Sequence, residues 1–238
     1  MSALQKAKYC GVLIMEKFNH TSGQHLEIDG AKIYFEEIGN KEKPLLLMLH
    51  GGFEDIENLN SIASYLSEHF RILGIDARGH GRSTLGDHPL TYKQMQADVE
   101  AILEHLKIST VNILGFSDGG TVAYRIAASN RVKVNKLIAI GTSWSQKDDF
   151  EALTQSIVSL WLDRTESGHP DESVRDITAN TLLIRGDNDF LVSLESLMEL
   201  KGKIKNSSLM NVPFAEHVVY EAQPQLTKIV IQQFLDIV

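Results

Sequence analysis

Short, continuously apolar runs alternate with amphipathic stretches along most of this 238-residue chain. The run at residues 44–49, PLLLML, contains no polar side chain and therefore predicts a strand that is buried on both faces of its sheet. Alternation of such runs with helical periodicity is typical of a mostly parallel sheet covered by helices on both faces. We therefore predict an α/β fold with a mostly parallel, doubly wound sheet.

The same pattern assigns the elements. Asp29-Gly30 is typical of a hairpin turn and predicts two strands within residues 25–39. Further strands are predicted at residues 44–52, 71–76, 111–116, 136–144, 181–187 and 208–212. Helices are predicted at residues 56–70, 91–106, 118–129, 194–203 and 223–238. Residues 1–24 fit this alternation poorly, so we expect a loosely attached N-terminal extension before one domain at 25–238.

Composition narrows the classes of partner. The formal net charge of −8 and the absence of clustered Lys and Arg argue against nucleic-acid binding, which needs a basic surface. The apolar run at residues 10–15 is too short to span a bilayer, so we expect no membrane partner. The only cysteine, Cys10, has no partner for a disulfide, which favours a reducing compartment. We expect a cytoplasmic protein, monomeric or homodimeric, that acts on a small molecule.

The stretch GFSDG at residues 115–119 follows an apolar run and precedes a helical pattern. It matches G-x-S-x-G, in which glycines permit a tight strand-to-helix turn that exposes the serine hydroxyl. Ser117 is therefore a candidate nucleophile. The alternative is a serine that caps the following helix.

Another loop with candidate functional groups follows the apolar run that ends at residue 49. Its glycines would allow backbone N–H groups to point into a ligand crevice, where they could hold an oxyanion together with the N–H of Asp118. Gly52 is the first choice for this second donor and Phe53 the second choice. The alternative is a tight turn without a ligand.

A nucleophilic serine also needs a base and an acid, and two later loops supply candidates. GDND at residues 186–189 and His217 each follow a predicted strand, at the sheet edge where open α/β sheets bind ligands. His217 is singled out among nine histidines by its position, and Asp189 and Asp187 are both candidates for the acid.

The segments LLLMLHGG, IDARGHGRS, LGFSDGG, TLLIRGDND and AEH occur in the order and approximate spacing of the α/β-hydrolase superfamily. Within it, the chain resembles small esterases and the biphenyl-hydrolase-like branch. The resemblance implies the α/β-hydrolase fold, with Ser117 as nucleophile, His217 as base and Asp189 as acid, while Asp187 remains the runner-up. It also implies that Arg78 and His80 organise their loop.

The chain departs from the family at the cap. Between predicted strands 6 and 7 only residues 145–180 are available, which predicts a short, reduced lid. Within that segment an apolar stripe at helical spacing predicts one amphipathic helix. Its members are Phe150, Leu153, Ile157, Leu160 and Trp161. As substrate contacts we predict Asp118, Trp144 and Trp161.

These features predict a serine hydrolase that works through an acyl-enzyme on Ser117. The expected substrates are small-molecule carboxylic esters, and amides or thioesters are further candidates. No sequence motif for a metal or an organic cofactor is found, so we expect neither. The alternatives are a ligand-binding or signalling protein without enzyme activity and a carbon–carbon bond hydrolase. Asp118 beside the nucleophile raises the further hypothesis of a preference for amino esters. A carboxylate that only complements the helix dipole is the alternative.

Overall fold

Eight strands form one sheet in the computed structural model, which describes residues 16–145 and 160–237. The strands are β1 (Gln24–Ile28), β2 (Ala31–Gly39), β3 (Leu45–Leu49), β4 (Arg71–Ile75), β5 (Thr110–Phe116), β6 (Lys133–Ile140), β7 (Asn180–Gly186) and β8 (Ser207–Val212). Their order in the sheet is β1-β2-β4-β3-β5-β6-β7-β8. Only the pairs β1/β2 and β2/β4 are antiparallel, so the predicted mostly parallel sheet is confirmed.

Helices connect the strands and cover the sheet. They are α1 (Asn60–Leu66), α2 (Tyr92–His105), α3 (Asp118–Ser129), α4 (Leu194–Lys203), α5 (Val219–Ala222) and α6 (Pro224–Phe234), with 3₁₀ turns at Ile56–Leu59 and Asp171–Asp176. Within the described ranges, no helix combines the length and the apolar character needed to cross a membrane.

Strand β3 is buried at all five positions, as its apolar sequence predicts. Its side chains alternate between two hydrophobic clusters, with Leu47 and Leu49 in one and Leu46 and Met48 in the other. Because successive side chains of a strand point to opposite faces, the two clusters lie on the two sides of the sheet. The sheet is therefore covered on both faces, and the open ends of its strands remain available for a site.

Strand β6 ends at Ile140, four residues before the end of the predicted strand at 136–144. Gly141 adopts a φ of +56°, and its N–H donates to the carbonyl of Ile184 at 2.8 Å. A positive φ ends the extended conformation, so residues 141–145 form a loop at the carboxyl end of the sheet instead of continuing the strand.

The loop after β4 is organised by a buried ion pair. The guanidinium of Arg78 donates to both carboxylate oxygens of Asp98, at 2.9 Å and 2.7 Å, and to the carbonyl of Leu85 at 3.2 Å. His80 Nδ1 lies 2.9 Å from the carbonyl of Arg78, to which it donates. The prediction that Arg78 and His80 organise this loop is therefore confirmed.

The part of the expected N-terminal extension that the structure describes, residues 16–23, packs closely on the sheet. Phe18 is buried against Gly74, whose added Cβ would lie 2.7 Å from the phenyl ring. The backbone N–H of Gly39 donates to the Glu16 carboxylate at 2.6 Å. The expectation of a loosely attached extension is therefore wrong for residues 16–23, because an apolar anchor and polar contacts hold this segment.

The predicted lid at 145–180 is described only at residue 145 and from residue 160 onwards. Phe150, Leu153 and Ile157 of the predicted amphipathic helix lie outside the described residues. Leu160 is fully buried in the core, whereas Trp161 is only partly buried.

The contacts of His20 predict a pH-dependent contribution to stability. His20 Nδ1 lies 2.7 Å from Glu57 Oε1, and Nε2 lies 2.8 Å from Asp76 Oδ2. Burial lowers the pKa of His20, but the carboxylates of Asp76 and Glu57 outweigh it, so the pKa is raised above its ordinary value. A histidine whose pKa is higher in the folded state than in the unfolded state stabilises the folded protein. This stabilisation is complete at pH values below the pKa of the unfolded state, and it is lost as the pH rises through the pKa of the folded state.

We therefore expect His20→Gln to lower the free energy of unfolding by about 1–2 kcal/mol at acidic pH, and by less at alkaline pH. Urea unfolding of the wild type and the variant at both pH values measures the difference. His25→Gln, at an exposed histidine whose Nε2 lies 3.1 Å from the carbonyl of Arg82, is the matched control. An equal loss of stability at both pH values would contradict the protonated contact.

Candidate active site

The carboxyl ends of β5, β7 and β8 bring three of the predicted site residues together. Ser117 directly follows β5, Asp189 lies in the loop after β7, and His217 lies in the loop after β8. Ser117 and His217 line one pocket, and Asp189 contacts His217. Residues far apart in the chain therefore meet at one edge of the sheet.

The backbone at Ser117 has an unusual conformation, with φ of +49° and ψ of −118°. A non-glycine residue in this region is strained, and such strain persists only where neighbouring contacts enforce it. Here the N–H of Ser117 donates to the carbonyl of Ile140 at 2.9 Å, and Gly119 packs so closely that an added Cβ would lie 2.3 Å from the carbonyl oxygen of Leu49. The strand-to-helix turn is therefore held tightly from two neighbouring strands.

The side chain of Ser117 forms no capping hydrogen bond, although the residue occupies the N-cap position of α3. The alternative explanation of the serine, as a helix cap, is therefore wrong. Ser117 lines the pocket instead.

His217 is oriented by Asp189. The distance from His217 Nδ1 to Asp189 Oδ2 is 3.0 Å, and the other carboxylate oxygen accepts from the N–H groups of Leu191 at 2.9 Å and Val192 at 3.1 Å. Burial alone would raise the pKa of Asp189, but the hydrogen bonds from His217 and from these two N–H groups lower it below its ordinary value. The acid is therefore held as a carboxylate.

A carboxylate can only accept hydrogen bonds, so Nδ1 of His217 carries the proton and Nε2 has a free lone pair in the neutral ring. Nε2 is buried and has no hydrogen-bond partner among the described residues. The ring is confined by Phe116, at 5.1 Å between ring centroids, and by Gly141, whose added Cβ would lie 2.9 Å from Cε1. This arrangement presents an unpaired proton acceptor in the pocket that contains Ser117.

Asp187 has a different place. Its carboxylate accepts from the N–H of Ala215 at 3.3 Å, a contact that joins the loops after β7 and β8. The structure therefore places Asp189, and not the runner-up Asp187, against His217.

The loop after β3 is organised by His50, which is buried beneath it. Its Nδ1 donates to the carbonyl of Gly51 at 2.7 Å, and its Nε2 accepts from the N–H of Ala77 at 2.9 Å. Burial lowers the pKa of His50 to about 4, so the ring is neutral and can form both contacts. Because the C=O and N–H of one trans peptide unit point in opposite directions, the bond to Gly51 also sets the direction of the Gly52 N–H.

Of the three predicted oxyanion donors, Asp118 lines the pocket with Ser117, whereas Gly52 and Phe53 are not among the residues that line it. The N–H groups of Gly52, Phe53 and Asp118 have no acceptor among the residues that the structure describes. Asp118 is the first residue of α3, where an N–H has no partner within the helix. Phe53 has a φ of +60° and a largely exposed side chain.

The carboxylate of Asp118 is buried and fixes the pocket wall. Its Oδ1 accepts from the hydroxyl of Tyr92 at 2.7 Å and from Nε1 of Trp161 at 2.9 Å. Burial outweighs these two donors, so the pKa of Asp118 is raised. Asp118 and Trp161 therefore both lie on the pocket as predicted, and one positions the other.

Trp144 does not lie on the pocket, and its predicted role as a substrate contact is wrong. The side chain is 2% exposed within the core, and its Nε1 donates to the carbonyl of Ser196 at 3.1 Å. The predicted strand included Trp144, but β6 ends at Ile140, so Trp144 lies in an irregular loop. A sequence pattern does not give the direction of a side chain in such a loop.

Sequence reasoning also missed five polar residues of the pocket, namely Tyr92, Thr121, Ser143, Ser145 and His169. Ser145 is the first residue of the predicted lid, and no pattern there marks it as a pocket residue. His169 lies in a polar segment where a single histidine has no distinguishing pattern. Within the described residues, no group of three His, Cys, Asp or Glu side chains is placed to hold a metal ion.

Comparisons with known proteins agree with this architecture. A family model described as the alpha/beta hydrolase fold matches residues 44–157. A Haemophilus influenzae protein with the provisional name esterase/lipase is 28% identical, over 81% of this chain and 83% of that protein.

Solved structures share the fold over nearly the whole chain. An alpha/beta hydrolase fold protein from Chitinophaga pinensis superimposes with a TM-score of 0.78 at 19% identity, covering 93% of this chain and 99% of that one. A thermophilic esterase from Thermogutta terrifontis gives a TM-score of 0.76 at 18% identity, covering 90% and 98%. The chain therefore has the α/β-hydrolase fold.

The strain at Ser117 predicts an effect on stability that is separate from chemistry. Ser117→Ala retains a Cβ and therefore retains the strain, whereas Ser117→Gly removes it. Relief of about 1–3 kcal/mol of strain less a glycine entropy cost of about 0.5–1 kcal/mol leaves the glycine variant more stable than the alanine variant by about 1 kcal/mol. Urea unfolding of the two variants measures this order, and a more stable alanine variant would show that the turn is not strained.

Proposed function

We propose that the protein is a serine hydrolase of small-molecule carboxylic esters that forms an acyl-enzyme on Ser117. The observation that carries the proposal is the hydrogen bonding of the two ring nitrogens of His217. Its Nδ1 is held by the Asp189 carboxylate, and its buried Nε2 has no hydrogen-bond partner among the described residues. His217 lines the same pocket as Ser117. The esterase and lipase names of similar proteins support the same class of chemistry.

In the first half of the proposed reaction, Ser117 Oγ forms a bond to the ester carbonyl carbon as His217 Nε2 takes the hydroxyl proton. The carbonyl π electrons move onto oxygen and give a tetrahedral oxyanion. The bond to the alcohol oxygen then breaks as His217 returns the proton to that oxygen, which releases the alcohol and leaves an acyl ester on Ser117. Asp189 keeps the ring in the Nδ1-protonated tautomer and stabilises the imidazolium.

The oxyanion requires preorganised donors. The N–H groups of Asp118 and Gly52 are the proposed pair, with Phe53 as the alternative second donor. The first is at the N-terminus of α3, where the helix dipole favours negative charge. The direction of the second is set by His50, which makes His50 a positioning residue.

In the second half, His217 takes a proton from water as the water oxygen attacks the acyl carbon. Collapse of the tetrahedral intermediate breaks the bond to Ser117 Oγ, which recovers its proton from His217, and the carboxylic acid leaves. The carboxylate of Asp118 is directed to Tyr92 and Trp161, so we assign it to the pocket wall. The preference for amino esters stays a prediction.

Covalent labelling tests the proposal without knowledge of the natural substrate. A fluorophosphonate probe is expected to modify the wild type at Ser117, because the hydroxyl is activated by His217, and Ser117→Ala is expected to remain unmodified. Intact mass and peptide mass spectrometry identify the site. Hydrolysis of p-nitrophenyl acetate and butyrate, lost in Ser117→Ala, gives the matching activity.

Two results would contradict the proposal. A folded wild type that is neither labelled nor active on the esters would favour a ligand-binding protein without enzyme activity. Labelling at a residue other than Ser117, unchanged in Ser117→Ala, would assign the nucleophile elsewhere.

A further inference from the structure

Besides His217, two polar side chains on the wall of this pocket are buried without a hydrogen-bond partner among the described residues. Ser145 is 5% exposed and His169 is 6% exposed, and neither Ser145 Oγ nor His169 Nδ1 is paired. Burying an unpaired polar group costs about 1–3 kcal/mol, so a pair on one pocket calls for an explanation. Both residues line the pocket that Ser117 and His217 line.

His169 is held rigidly by α2 and α3. Its ring packs edge-to-face on Tyr92, with 4.9 Å between the ring centroids. The backbone just before it is fixed by Arg125 of α3, whose guanidinium donates to the carbonyl of Gly168 at 2.6 Å and to that of Glu166 at 3.1 Å. The same helix begins at the residue after Ser117, so one element connects His169 to the candidate nucleophile.

The loop that carries Ser145 is fixed as well. Ser143 Oγ donates to the carbonyl of Ser145 at 2.7 Å, and Thr121 Oγ1 of α3 donates to the carbonyl of Ser143 at 2.8 Å. The carbonyl of Trp144 accepts from the N–H of Asp171, at 3.2 Å, two residues beyond His169. These contacts join the two loops, so the two unpaired groups belong to one preorganised surface.

The chemistry of the two groups selects a class of ligand. Burial lowers the pKa of His169 to about 4, so at neutral pH its ring offers one N–H donor and one nitrogen acceptor. The hydroxyl of Ser145 likewise donates and accepts. A hydroxyl group on a ligand can satisfy both, whereas a charged group would lose its hydration without gaining an opposite charge from either residue.

We infer that Ser145 and His169 form a second polar subsite of the pocket, which binds an uncharged hydroxyl group of the substrate. The assignment of this ligand as an ester substrate rests on the proposed function, because the subsite shares its pocket with Ser117. Ser145 and His169 are then specificity-determining residues, and they take no part in the bond changes at Ser117.

Matched esters test the subsite. Each pair differs by a hydroxyl in place of a methyl group: ethyl 3-hydroxybutyrate against ethyl 3-methylbutyrate, and 2-hydroxyethyl butyrate against propyl butyrate. We expect the wild type to show a kcat/KM about tenfold higher for the hydroxylated ester in at least one pair, because its methyl analogue leaves the buried groups unpaired. We expect His169→Phe and Ser145→Ala each to remove most of that preference.

The controls separate specificity from damage. His169→Phe keeps an aromatic ring against Tyr92, and thermal unfolding verifies that each variant is folded. Ser196→Ala removes a buried unpaired hydroxyl that does not line the pocket, so it is expected to keep the preference for the hydroxylated ester. Equal kcat/KM values within both ester pairs in the wild type, or an unchanged preference in both His169→Phe and Ser145→Ala, would overturn the subsite.

Binding measurements distinguish failure of the subsite from failure of the proposed hydrolysis. Calorimetric titration of Ser117→Ala with the same esters reports affinity without turnover. If the wild type hydrolyses no ester but Ser117→Ala prefers the hydroxylated ligand, and His169→Phe in that background removes the preference, the subsite stands and ester hydrolysis falls. If Ser117 is labelled and esters are cleaved but neither affinity nor kcat/KM discriminates, the subsite alone falls.

Discussion

The hydrogen bond between His217 and Asp189 joins two loops across a separation of 28 residues in the chain, and the proposed chemistry of the pocket depends on it. The carboxylate can accept this bond as a charged group because the N–H groups of Leu191 and Val192 also donate to it. The bond leaves His217 Nε2 as an acceptor directed away from the acid. Without it, the strained turn at Ser117 would present a hydroxyl with no oriented base.

Much of this arrangement could be predicted from the sequence because strong local patterns determine it. Continuously apolar runs such as β3 require burial on both faces, and parallel strands deliver their following loops to one edge. The glycines around Ser117 predict the tight turn, and the structure shows why one of them is needed, since Gly119 packs against the carbonyl of Leu49. The order of Ser117, Asp189 and His217 along the chain narrowed nine histidines to one.

Other features depend on tertiary contacts that no local pattern encodes. Trp144 and Trp161 are indistinguishable by type and spacing, yet one donates to a core carbonyl and the other to Asp118 on the pocket. The attachment of residues 16–23 depends on contacts with β2, β4 and the adjoining loops. The sequence of this segment shows only that it does not follow the alternation of apolar and amphipathic stretches, and that does not reveal the attachment. His169 becomes notable only through its burial and its missing hydrogen bond.

The central claim is that Asp189, through His217, activates Ser117, and the rate of fluorophosphonate modification tests it most directly because no natural substrate is needed. Asp189→Asn removes the carboxylate against His217, while Asp187→Asn makes the same chemical change at the turn that contacts Ala215. We expect the second-order rate constant to fall by about a thousandfold or more in Asp189→Asn and to change by less than about threefold in Asp187→Asn, with both variants folded. Equal rates in wild type and Asp189→Asn, or a large loss confined to Asp187→Asn, would contradict the account.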